Sequence, residues 1–209
     1  MNSHAADVEL VFKKHEYLVS LVDKTSGKII HQRKDHLGHH IAGVMSDDLK
    51  TVVYITTDRH LWFPPQIRWW DLETDEVTDH TSSHHIYTQW LNLACHFESR
   101  LVVLGGIDGF SAFDVAASRT SWHRTSESAD KKRAVYAVSI SDRGDLVCIL
   151  QKRRFSIRSA LTGDLLKQQL LSKSFMECEF QDDDSRLVLI PPDDDELLSV
   201  PLNASALPG

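Results

Sequence analysis

Histidines supply the first residues whose types and spacing could do chemistry. His36-x3-His40 and His80-x3-His84 place imidazoles four residues apart, with His39 and His85 beside them. On a helix this spacing puts two rings on one face, where neutral imidazole nitrogens can hold zinc. Both groups fall in segments whose composition predicts loops and strand ends, and no carboxylate or thiolate stands at ligand spacing. The expectation is structural and surface histidines, with no metal and no other cofactor.

Charge clusters come next. Lys131-Lys132-Arg133 and Lys152-Arg153-Arg154 gather six cations in a chain of net charge −7. Guanidinium forks suit carboxylate or phosphate, and ammonium groups add unspecific attraction. A solvated charged rim is the plainer reading of both triplets. Asp182-Asp-Asp184 and Asp193-Asp-Asp-Asp-Glu196 lack the sharp glycine turn and alternating ligands of a calcium loop, so solvated acidic turns are expected. Trp62, Phe63, Trp69, Trp70 and Trp90 could stack on a ligand, but aromatics on strands are more often core. No GxSxG, HExxH or P-loop is present, and the Ser, His and Asp residues keep no triad spacing. No catalytic residue is expected.

These residues need elements to hold them, and the periodicity is that of strands. Apolar and β-branched runs at 8–12, 16–22 and 28–31 precede a longer unit with runs at 41–45, 51–57, 67–72 and 77–80. Further units follow at 86–93, 101–107, 110–115 and 120–123, then at 135–140, 146–150, 155–161 and 165–171. A last set lies at 175–180, 186–190 and 197–202. Gly and Asp clusters divide the runs, Asp108-Gly109 being a hairpin signal. The turns before each fourth strand, at Gly27, Asp75, Ser118 and Gly163, recur at steps of 48, 43 and 45 residues. Second strands such as 101–104 and 146–150 are continuously apolar, as expected of a sheet covered on both faces.

The unit from Gly38 to Asp71 carries Gly38-His39, Thr56-Thr57, Asp58 and Trp70-Asp71, and it resembles a WD40 repeat. The resemblance implies a buried hydrogen-bonded chain through His39, Thr56 or Thr57, Asp58 and Trp70. The other units keep only parts of the pattern: Asp108 and Phe113-Asp114 in one, and Ser141-Asp-Arg-Gly144 with Arg158-Ser159 for Trp-Asp in another. The turn after Asp58 is about six residues longer than in that family. The fold class expected is all-β: a propeller-like array of four-stranded antiparallel blades, three complete and two partial, forming an open arc of a larger propeller. It would occupy residues 7–202 as one segment, with 203–209 as a C-terminal tail. The alternative is a small ring of four or five blades closed by the two partial ones. In either, the two basic triplets should meet on one rim of the third complete unit.

Composition limits the function classes. At 209 residues with 42% hydrophobic content the chain can bury a real core, and its acidic balance argues against nucleic acid. No apolar run approaches the ~20 residues of a spanning helix, so no membrane role is expected. Cys95, Cys148 and Cys178 are odd in number and widely spaced, which suits reduced thiols in a cytoplasmic or nuclear protein. The function expected is a non-catalytic protein-interaction scaffold, docking a protein or peptide that is acidic or phosphorylated. Further blades or another chain would complete the ring. The alternative is an enzyme or a cofactor- or metal-binding propeller that uses the histidine-bearing rim.

Overall fold

In a computed structural model of the chain, which describes residues 7–35, 40–57, 64–83, 92–107, 109–125, 134–192 and 196–202, the apolar runs become strands. The first sheet is β1 (Val8–Lys13), β2 (Leu18–Asp23) and β3 (Ile29–Lys34). The second is β4 (His40–Met45), β5 (Thr51–Thr57), β6 (Gln66–Asp71) and β7 (Val77–Thr81). The third is β8 (Asn92–His96), β9 (Leu101–Gly105), β10 (Gly109–Asp114) and β11 (Arg119–Thr125). The fourth is β12 (Val135–Ile140), β13 (Leu146–Gln151), β14 (Arg154–Ser159) and β15 (Leu165–Leu170). The last is β16 (Glu177–Gln181), β17 (Arg186–Ile190) and β18 (Leu198–Pro201).

Every sheet is an antiparallel meander in chain order, three of four strands and two of three, as the turn spacing implied. The first strands of successive sheets, β4, β8, β12 and β16, lie beside one another. The result is a propeller-like array of blades. Among the described residues no strand pairing joins the first sheet to the last, so the array is not closed.

Four apolar cores fill the four spaces between five sheets, which explains the continuously apolar second strands. On β5, Val52 and Tyr54 pack toward the first sheet while Val53 and Ile55 pack toward the third. On β13, Val147 and Ile149 join the core with the third sheet, and Leu146, Cys148 and Leu150 the core with the last. Each such side chain contributes roughly 1.5–3 kcal/mol when fully buried. The first strand of the last sheet alternates instead. Glu177, Glu179 and Gln181 are exposed where Cys178 and Phe180 are buried.

The turns show why the period is legible. Gly27, Asp75, Ser118 and Gly163, the four residues that set the repeat, all have positive φ, from 50° to 72°. Glycine reaches this left-handed region without strain and Asp tolerates it. At Gly163 a second constraint applies, because an added Cβ would lie 2.6 Å from the Trp122 ring.

Three boundaries differ from expectation. The run at 86–93 is described only from Asn92, where β8 begins, and β8 continues through Cys95 and His96. Phe175 precedes β16, which begins at Glu177, and its side chain is buried in the last core. Arg154 lies on β14, leaving Lys152-Arg153 as a two-residue hairpin turn.

Candidate functional site

Antiparallel meanders send alternate connections to opposite ends. The connections β4–β5, β6–β7 and their equivalents are short and form a turn end. The connections β5–β6, β7–β8 and their equivalents form a loop end. Sequence then sets the charge of each end.

At the turn end, Asp47, Asp48, Glu73, Asp75, Glu76, Glu98, Asp142, Asp145, Asp164 and Asp182 to Asp184 face Lys24, Lys28, Lys50, Arg100 and Arg143 among the described residues. Many of these carboxylates organise backbone. Asp48 accepts from the Ser46 hydroxyl and the Lys50 N–H, which hold its pKa below the ordinary carboxylate value. Asp71 accepts from the Glu73 and Thr74 N–H groups, and its pKa is lowered chiefly by the Thr74 bond. Asp184 departs from the solvated turn expected of its run. Its side chain is 0% exposed and accepts from the Asp142 N–H at 2.8 Å, the Arg143 N–H at 3.1 Å and Arg143 Nε at 3.3 Å. The turn of the last sheet thereby grips the turn of the fourth. Where the inner strands end, a cavity of about 890 Å³ is bounded by Asp47, Asp48, Glu98, Asp142, Glu179 and His96.

Two of the histidines that the structure describes, His96 and His80, serve the scaffold. Asp142 O accepts from His96 Nε2 at 2.9 Å, so Nδ1 is free to accept from the Ser99 hydroxyl at 2.7 Å. His80 Nδ1 lies 2.9 Å from Ser118 Oγ, and burial lowers its pKa. This contact is one of a series. Trp122 Nε1 donates to Ala160 O at 2.7 Å, Arg33 lies over the Trp70 ring at 5.4 Å, and Lys167 Nζ donates to Pro201 O at 3.3 Å. The outer strands β3, β7, β11 and β15 thus each reach the next sheet. His40 begins β4, while His36, His39, His84 and His85 lie outside the described residues. Among the described residues no three His, Cys, Asp or Glu side chains are grouped to hold a metal ion. No helix there is long and apolar enough to cross a membrane.

The hydrogen-bonded chain implied by the WD40 resemblance takes another course at Trp70. Its indole N–H donates to Asp75 Oδ1 at 2.9 Å. Thr56 pairs with Gln66 and Trp70 with Val52, so the two stand toward opposite ends of the β5–β6 ladder. A tryptophan at the end of β6 reaches the turn that follows it. His39 and Asp58 lie outside the described residues.

A polar network that sequence reading missed lies between the first and second sheets. Arg68, 7% exposed, donates from Nε to Asp35 Oδ2 at 2.8 Å and from Nη1 to Asp79 Oδ1 at 3.2 Å. The Tyr54 hydroxyl donates to the same Asp35 oxygen, and burial followed by that carboxylate pushes its pKa well up. The signal available was a charge inside an apolar run, Ile67-Arg68-Trp69-Trp70, since a buried guanidinium requires a counter-charge.

The loop end carries the basic hairpin. Lys152 and Arg153 are exposed and, among the described residues, make no side-chain hydrogen bond or ion pair. Arg154 is committed instead: its Nε and Nη2 donate to Gln151 Oε1 at 3.1 and 2.6 Å, clamping the hairpin base. Val135 pairs with Gln151, so the chain enters β12 at the end where this hairpin turns. Lys131, Lys132 and Arg133, which precede that point in sequence, lie outside the described residues. Such a site can attract and orient an anion, but among the described residues it holds no nucleophile paired to a base. No family model and no curated protein matches this sequence.

Proposed function

We propose that this chain is a non-catalytic, WD40-like scaffold that docks a protein partner, taking an acidic or phosphorylated segment at the loop end of the fourth sheet. The observation that carries this reading is the hairpin Lys152-Arg153. Its two cations project to solvent, whereas Arg154 beside them is held by Gln151. A two-residue turn is equally well made from Asn, Gly or Ser, so folding does not ask for cations there. Arg153 offers a bidentate fork for carboxylate or phosphate, and Lys152 adds steering at low salt.

The test is fluorescence anisotropy of labelled peptides, one acidic and phosphorylated on serine and one of the same composition with neutral residues. The acidic peptide should bind, and Lys152→Glu/Arg153→Glu should weaken it about tenfold or more, most at low salt. Arg154 is left intact so that the hairpin clamp survives. Equal binding by wild type and double variant would overturn the assignment of this rim.

A further inference from the structure

Three outer strands bring their next-to-last residue to the next-to-last residue of the third strand in the following sheet. Arg33 of β3 lies over the ring of Trp70 of β6 at 5.4 Å. His80 of β7 stands 5.8 Å from the ring of Phe113 of β10. In both meetings a polar side chain covers an aromatic ring, and packing alone accounts for them. The third meeting departs from this pattern, because β11 brings Arg124 to Arg158 of β14.

The turn between β14 and β15 holds these two guanidiniums close together. Arg124 Nη2 donates to Thr162 O at 3.1 Å, and Arg158 Nη1 donates to the next carbonyl, Gly163 O, at 2.8 Å. Arg158 also lies over the Phe110 ring at 4.9 Å, and its Nε is buried without an acceptor among the described residues. Phe155 and Ile157 enter the core with the last sheet, so Arg154 and Arg158 stand on the face toward the third. Burial, and then the guanidiniums of Arg124 and Arg154, lower the Arg158 pKa against the pull of Asp164. That carboxylate lies 3.6 Å from Arg124 Nη2 and already accepts from the Thr162 hydroxyl at 2.7 Å. Like charges brought together cost the fold stability, and a ring in place of Arg158 would avoid that cost.

We propose that Arg124 and Arg158 form a binding site for a phosphate monoester on the flank between the third and fourth sheets. Three guanidiniums against one carboxylate leave two positive charges over. A phosphate monoester carries about −1.5 to −2 charges at neutral pH and three acceptor oxygens, whereas a carboxylate would supply only half of that charge. Guanidinium forks bind such oxygens in pairs. Arg124 has a side chain 40% exposed, which opens the site to solvent. The hairpin Lys152-Arg153 is not part of it, and this inference does not depend on the docking reading above.

Isothermal titration calorimetry of the full chain at constant ionic strength should show one site for inorganic phosphate and for a short phosphoserine peptide. Acetate should not bind. Tighter binding of the peptide would mark a protein segment as the source of the phosphate, and equal affinity a small phosphorylated molecule. Arg124→Gln should weaken both about tenfold or more. Arg158→Trp recreates the Arg33–Trp70 meeting and should abolish phosphate binding without lowering the melting temperature. Lys152→Glu/Arg153→Glu should leave the affinity for inorganic phosphate within about threefold, since the salt present screens charges outside the site. Absence of binding at millimolar phosphate would overturn the proposal. So would equal affinity in wild type and Arg124→Gln, acetate binding as tight as phosphate, or loss of phosphate binding in the hairpin variant.

Discussion

The two ends of the array use charge differently. At the turn end, carboxylates are part of the fold: Asp48 and Asp71 tie their own turns, and Asp184 ties one sheet to the next. At the loop end, Lys152 and Arg153 stand in solvent, and only their neighbour Arg154 is held. The difference teaches that a charged run is not one kind of object. Within Asp182-Asp183-Asp184 the third residue is buried, and within Lys152-Arg153-Arg154 the third is clamped. Function is to be sought among the charges that the fold leaves unused.

The largest effect expected sharpens this rule by moving it inside. Arg68→Met leaves Asp35 buried without its partner, and urea denaturation should show a loss of about 3–5 kcal/mol. A loss under about 1 kcal/mol would mean that the Tyr54–Asp35–Arg68 network is solvated and does not hold the first two sheets together. At the turn end, Asp184→Ala strands two backbone N–H groups and should cost about 1–3 kcal/mol. Gly163→Ala puts a Cβ at positive φ against Trp122, and the melting temperature should fall by an amount equivalent to more than about 1 kcal/mol. An unchanged melting temperature there would show that the turn is not the fixed point of the repeat.

Acid should probe the same contrast. His80 has a folded pKa below its ordinary 6.5, so the unfolded chain binds that proton more readily. Its contribution to stability is complete above pH 6.5 and is lost as pH falls through that value. Asp23, Asp48 and Asp71 also have folded pKa values below their ordinary 3.8, held by backbone and hydroxyl donors. Their contribution is complete above pH 3.8 and is lost below it. Denaturation midpoints measured across pH 3–7 should fall in those two windows. His80→Gln should remove the upper one and leave the lower.

Much of the architecture was legible because each sheet repeats one set of local choices. The residues Gly27, Asp75, Ser118 and Gly163 mark the period because the chain must turn left-handed there. Val52 to Ile55 announce a sheet covered on both faces because alternate side chains enter different cores. The Arg68–Asp35 pair was not legible, since nothing in the spacing of residues 33 apart states that their sheets meet. The acceptor of Trp70 was not legible for a related reason: the resemblance implied a chain through His39, Thr56 or Thr57, Asp58 and Trp70, while local chain direction carries the indole N–H to Asp75. The basic hairpin was found as a triplet, but only the structure separates Arg154 from the two residues that face solvent.

The most direct test of the account sets one charge site at each end side by side. Urea denaturation of wild type, Asp184→Ala and Lys152→Glu/Arg153→Glu should be run at one pH and salt concentration. The double reversal should stay within about 0.5 kcal/mol of wild type while Asp184→Ala loses its full increment. If the double reversal destabilises the chain as much as Asp184→Ala does, the loop-end cations belong to the fold, and the division of labour between the two ends is wrong.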